Sequence, residues 1–64
     1  MLAENIRKYR KKLKLTQEGL ARKVDISYST IIKLETGVIS DPRMETLKKL
    51  AHALNVSIDE LVGN

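Results

Sequence analysis

The sequence predicts an all-α fold, one compact unit of five short helices spanning residues 1–64. Three observations predict it. Apolar residues recur at helical spacing, while strict apolar/polar alternation is weak. Helix punctuation (Thr16, Ser27, Gly37, Asp41-Pro42, Asn55, Ser57) returns too often for long elements. Phe, Trp and Cys are absent and Tyr9 and Tyr28 are the sole aromatics, so the core must come from Leu, Ile, Val, Met and Ala, a palette suited to packed helices.

Leu2, Ile6, Tyr9 and Leu13 share one narrow face at about 100° per residue and define the first helix, with Leu15 ending the segment. Between Arg7 and Lys14 six of eight residues are basic, and most of them point away from that stripe. Arg10 lies closest to its edge and is expected to be partly buried. Thr16 caps the second helix, whose apolar face is Leu20, Ala21 and Val24. Gly19 occupies the position where a capping box wants Glu or Gln, so Gly19→Glu is expected to stabilise the fold by about 1–1.5 kcal/mol. Asp25-Ile26 makes the turn, with Asp25 a suitable left-handed residue.

Ser27 caps the third helix. Ile31 and Leu34 face the core, Ser29, Ile32 and Lys33 project from the opposite side, Tyr28 stands at that side's edge, and Glu35 flanks the apolar stripe. Gly37 closes the helix. Val38 to Pro42 forms a loop in which Asp41-Pro42 announces the fourth helix, with Met44, Leu47, Leu50, Ala51 and Leu54 on its inner face. Asn55 ends it in a left-handed conformation. Ser57-Ile58-Asp59-Glu60 is a full capping box for the fifth helix, with Val56 placed to staple onto Leu61.

Several function classes are excluded early. The chain offers no disulfide or thiolate metal site, a composition that fits a reducing cytosol and hence a cytoplasmic location. Glu4, Arg7 and Lys8 interrupt any leader-like stretch, and nothing approaches the ~20 apolar residues of a membrane span. His52 is the only histidine and opposes the core stripe of its helix, so it reads as a surface residue and no metal site is expected. No nucleophile–base pair and no glycine-rich phosphate loop occurs. The expectation is a protein without catalytic residues, cofactor or evident small-molecule ligand.

Helices this short are marginal alone and stabilise only by packing. Their use is geometric. The second and third, over about residues 16–36, form a helix-turn-helix, a rigid corner that holds its second helix outward for the DNA major groove. The chain closely resembles the Cro/lambda-repressor-like helix-turn-helix family from about Asn5 to Leu61, most strongly in LTQEGLARKV, ISYSTIIKLETG and LKKLAHALNVSIDEL. That resemblance implies sequence-specific binding of double-stranded DNA as a homodimer on a two-fold symmetric operator, to regulate transcription. By position, Gln17 matches the family's phosphate-clamping glutamine, Tyr28, Ser29 and Lys33 match positions touching bases or flanking phosphates, and Arg10 and Glu35 match an ion pair seen in some members. Gly19, and Asp25 where the family often has Gly, depart from the pattern and bear on stability and turn detail.

Residue chemistry adds to this expectation. A helix N-terminus offers free amides and a positive dipole end, which suits Gln17 to a phosphate. Lysine at position 33 favours guanine O6/N7, Ser29 is short enough to adapt to several base edges, and Ile32 has a thymine methyl as its natural contact. Tyr28 can pack its ring while its hydroxyl reaches a phosphate or base, and Arg43 and Lys14 are expected on phosphates. The formal charge of +4 supports such a partner. The expected mode of action is repression by occupancy, through a homodimer that is weak until DNA stabilises it, with Val38, Ile39 or Val62 as apolar contacts. Two rivals compete: an antitoxin-type protein-interaction module of the same fold, and an anionic-membrane binder using the basic first helix. The apolar stripe of that helix is needed for the core, which disfavours the second.

Overall fold

The computed structural model describes residues 1–63; Asn64, the last position of the expected domain, lies outside them. Five helices follow one another: α1 (Leu2–Lys12), α2 (Gln17–Val24), α3 (Tyr28–Thr36), α4 (Met44–Leu54) and α5 (Ile58–Val62). The expected all-α class and element order hold. Three of the starts are built by hydroxyl caps. Thr16 accepts from the Gly19 N–H at 2.9 Å and Ser27 from the Thr30 N–H at 3.3 Å. At α5 the capping box closes from both sides, Ser57 Oγ on the Glu60 N–H and Glu60 Oε1 on the Ser57 N–H, each at 3.0 Å. Each such cap contributes about 1 kcal/mol.

The ends of α1, α2 and α4 share one device. A residue in the left-handed conformation donates its N–H three residues back, and its successor donates five residues back. Lys14 (φ 57°) bonds to the Lys11 carbonyl and Leu15 to that of Arg10, at 2.9 and 3.1 Å. Asp25 (φ 58°) and Ile26 do the same with Arg22 and Ala21, at 3.3 and 3.0 Å. Asn55 (φ 60°) and Val56 repeat it with His52 and Ala51, at 3.2 and 3.0 Å. In each case the successor (Leu15, Ile26, Val56) is apolar and packs against the core. The left-handed Asp25 and Asn55 follow the sequence reading, because short polar side chains tolerate that conformation. Lys14 does not: nothing in its chemistry announces it.

α1 packs on α3 and α5, α2 on α3 and α4, and α4 on α5. The core between them comprises Ile6, Leu20, Ala21, Val24, Ile31, Leu34, Leu50, Ala51, Ala53, Leu54 and Leu61. Three expectations, on Leu13, Met44 and Ile39, need correction. Leu13 is exposed, because α1 stops at Lys12 and the chain turns away before Leu13 reaches the core stripe. Met44 is 55 % exposed at the first turn of α4, beyond the edge of the core. α4 starts at Met44, with Arg43 before it in extended backbone (φ −64°, ψ 153°) and without a side-chain cap. Ile39, expected on the surface, packs against the core instead, its N–H donated to the Lys33 carbonyl at 3.0 Å.

The gain expected from Gly19→Glu also shrinks. A Cβ at Gly19 would stand 3.1 Å from Thr16 Oγ1, the capping atom itself, so the new side chain would press on the cap it was meant to complete. One further tie was not foreseen. Asn5 of α1 donates its side-chain amide to the carbonyls of Leu61 (2.9 Å) and Gly63 (2.5 Å), fastening the end of α5 to the start of α1.

Candidate nucleic-acid interface

The third helix has two chemically distinct sides. Ile31, Leu34 and Glu35 are buried; Tyr28, Ser29 and Lys33 are exposed. Ile32, expected to be exposed, is half-buried and stands apart from the residues packed on the core. At about 100° per residue Tyr28, Ile32, Ser29 and Lys33 fall within roughly 140° of one another, a single outward strip. Tyr28 is 47 % exposed, leaving about half of the residue open to a ligand. The Ser27 hydroxyl bonds to Thr30 Oγ1 at 2.8 Å and lies 3.4 Å from Ser29 Oγ, so the start of α3 presents an ordered hydroxyl cluster.

Behind that strip lies a polar node on Glu35, which is 1 % exposed and the one buried charged residue among those described. Arg10 of α1 grips its carboxylate with two hydrogen bonds, Nε to Oε2 at 2.7 Å and Nη2 to Oε1 at 3.1 Å, and spends Nη1 on the Leu15 carbonyl at 2.8 Å. The structure thus brings Arg10 and Glu35 together. Arg7 donates to the Glu35 backbone carbonyl, so α1 holds the last turn of α3 through two guanidiniums. Gln17, first residue of α2, donates Nε2 to Glu35 Oε1 at 3.2 Å. Sequence reasoning missed Arg7 and this turn of Gln17. The spacing of Arg7 and Arg10, three apart on one helix, was a usable signal for the first. Nothing in the sequence pointed to the second.

The basic run of α1 divides by role. Arg7 and Arg10 are spent on Glu35, and the Lys8 and Lys12 ammoniums stand 5.1 and 5.9 Å from the centre of the Tyr9 ring. Lys11 and Lys14 remain exposed with no ion-pair or ring partner among the described residues. Lys14 sits in the turn leading into the N-terminus of α2, two positions after the last residue of α1. Arg43 occupies the N-cap position of α4, exposed, its side chain making no cap bond. The expected phosphate contacts Lys14 and Arg43 are therefore free cations at helix boundaries. Gln17 is half-buried and partly committed inward.

Elsewhere the described residues hold no group of three His, Cys, Asp or Glu placed for a metal ion, and no helix among them is long and apolar enough to cross a membrane. His52 is exposed.

Comparison with known proteins agrees with this geometry. The family model described as helix-turn-helix matches residues 6–61. The transcriptional repressor RstR of the cryptic phage CTXphi, from Vibrio cholerae serotype O1, is 40 % identical over 62 residues, covering 97 % of this chain and 54 % of the repressor. The uncharacterised helix-turn-helix-type transcriptional regulator YqaE of Bacillus subtilis is 37 % identical over 62 residues, covering 97 % of this chain and 53 % of its own length. A further uncharacterised regulator of this type, from Methanothermobacter thermautotrophicus, is 47 % identical over 49 residues, which span 77 % of this chain and 70 % of the regulator. The chain thus spans about half the length of the first two relatives.

Proposed function

The chain belongs to the helix-turn-helix family, and we propose that it binds double-stranded DNA in a sequence-specific way to repress transcription. The observation that carries the proposal is the split of α3: its inner side is locked by Ile31, Leu34 and the Glu35 node, while Tyr28, Ser29 and Lys33 are left exposed on an outward strip. A rigid helix with a polar, cationic outer strip fits the major groove, where lysine pairs with guanine and hydroxyls adapt to several bases. The half-buried Ile32 would add contact with a thymine methyl. Gln17, Lys14, Arg43 and the Tyr28 hydroxyl would hold phosphates on either side and fix the register.

The proposed working unit is a homodimer, one α3 in each of two successive major grooves about 34–36 Å apart on a palindromic site. Exposed Val38 (73 %) and Val62 (43 %) offer little apolar area, so the dimer would be weak until DNA holds both copies. RstR, a named transcriptional repressor, supports the sign of regulation by analogy. Selection of bound duplexes from a random pool tests the whole reading. A recovered palindrome with half-sites about one turn apart is the expected result. A pool that stays random after repeated rounds would sink it, and would favour the antitoxin-type role, in which a protein partner is the main ligand.

A further inference from the structure

We propose that Glu35 acts as a positioning residue for DNA binding: it orients the side-chain amide of Gln17 so that an N–H, and not the carbonyl oxygen, faces a phosphate. This inference rests on the reading of Gln17 as a phosphate contact and deepens it. An amide side chain has two faces of opposite polarity, and rotation by half a turn exchanges them. Exposed at the start of a helix, the side chain would sample both. Presented oxygen-first to a phosphate it repels; presented nitrogen-first it binds.

Glu35 removes the ambiguity. Its carboxylate is held by the Arg10 guanidinium at 2.7 and 3.1 Å, so it only accepts hydrogen bonds. Oε1, 3.2 Å from Gln17, can therefore take only the amide nitrogen. The NH2 group has two hydrogens, and Glu35 uses one. The other stays available on a half-buried side chain at the first position of α2, beside the free backbone amides of that helix end. The burial of Glu35, 1 % exposed, holds the acceptor still. Arg10 has a matching part: it pairs with both oxygens of the buried carboxylate and is itself tied to the Leu15 carbonyl, one residue before the α2 cap. The node thus couples the phosphate anchor on α2 to the base-reading helix α3 through one carboxylate.

A binding cycle separates positioning from general support of the fold. The background is the paired change Arg10→Met with Glu35→Gln, which leaves no unpaired buried charge and gives Gln17 a neighbour that can donate as well as accept. Binding to the selected duplex is measured for the parent, Gln17→Ala, the paired variant and the combination, with Lys33→Ala made in both backgrounds as control. In the parent, Gln17→Ala is expected to weaken binding about tenfold, the worth of a hydrogen bond to a charged oxygen. In the paired variant the same change should cost less than about twofold, while Lys33→Ala keeps its full effect. Equal losses from Gln17→Ala in both backgrounds would overturn the positioning role, and so would a paired variant that blunts Gln17→Ala and Lys33→Ala alike, because that reports a loosened fold. If Gln17→Ala has no effect even in the parent, the phosphate reading of Gln17 itself fails. Should the paired variant not fold, the free parent still decides. One Gln17 Nε2 proton must exchange with solvent more slowly than in free glutamine and show a coupling across the hydrogen bond to the Glu35 carboxyl carbon; absence of both the protection and the coupling would refute the orientation.

Discussion

The two sides of α3 make opposite demands on the sequence. Inward, Ile31, Leu34 and Glu35 are all but inaccessible, and every polar atom there has a partner: no buried side-chain nitrogen or oxygen among the described residues lacks one. Outward, Tyr28, Ser29 and Lys33 meet water and hold little of the fold together. The inner side sets where the helix sits and the outer side sets what it can bind. Substitutions should therefore sort cleanly, the inner ones acting on stability and the outer ones on recognition.

The largest effect belongs to the inner side. Glu35→Ala would leave the Arg10 guanidinium, 12 % exposed, without its carboxylate, and would also strip Gln17 of its acceptor. Breaking one half of a buried pair costs about 3–5 kcal/mol. In a domain of this size that is a large part of total stability, so the variant should be partly unfolded at room temperature. Replacing both partners by apolar residues of similar volume should cost much less. Urea denaturation of the single and double variants checks the coupling, and additive single effects would dissolve the contrast between the two sides of the helix.

On the outer side, Lys33→Ala should leave the melting temperature within error and act on DNA alone. If the ammonium reads a base edge, the loss is about 1–3 kcal/mol on the selected duplex and relaxes preference at one position per half-site. Scrambled DNA should be bound nearly as before. Titrations on both duplexes across a salt series decide it; equal losses on the two would mean that Lys33 contributes charge and no readout.

Much of this arrangement is legible in the sequence because it depends on period and punctuation. The hydroxyl caps of α2, α3 and α5, the left-handed Asp25 and Asn55 and the buried pair Ile31 and Leu34 all follow from residue type at a fixed spacing. Arg10 and Glu35 could be paired because each flanks its own apolar stripe. What escaped has a different origin. Leu13 and Met44 sit on the correct helical faces but past the point where a neighbouring helix covers them, and wheel position alone says nothing about length of cover. Arg7, Asn5 and Gln17 bond across long sequence separations to groups that any residue carries or that many residues could supply. Gly19 looks improvable until the 3.1 Å approach to Thr16 Oγ1 is seen.

Lys14 crosses the division between fold and recognition, and substitution there should move the two properties in opposite directions. It adopts φ 57°, a conformation costing a side-chain-bearing residue about 1 kcal/mol, which glycine avoids. Lys14→Gly should therefore stabilise the domain by up to about 1 kcal/mol, read as a higher urea midpoint at unchanged slope. The same change removes a free cation beside α2, so binding should weaken on selected and scrambled DNA alike, with a salt slope lower by about one unit per copy. A fall in both stability and binding would mean that the turn needs the lysine side chain itself.

The smallest effect lies far from α3, at the exposed carboxylate that closes the capping box of α5. Glu60 accepts the Ser57 N–H at 3.0 Å, and that bond, followed by the bond with the Ser57 hydroxyl, lowers its pKa below the ordinary glutamate value of 4.5. Folding thus favours the deprotonated form. The unfolded chain takes up the proton first as the pH falls, so the contribution of Glu60 is complete above the ordinary value and disappears as the pH drops through the lower folded one. Glu60→Gln keeps an oxygen for the Ser57 N–H but removes the titration. Its stability should fall slightly below that of the parent at neutral pH and converge with it in acid, below the folded pKa. Full solvent exposure screens the charge and keeps the gap small, whereas the buried Glu35 has no such screening. Thermal melts of parent and variant from pH 7 into acid below the folded value test this by difference. A gap that persists unchanged at the acid end would assign the effect to hydrogen-bond geometry, and the lowered pKa would then have no part in holding α5.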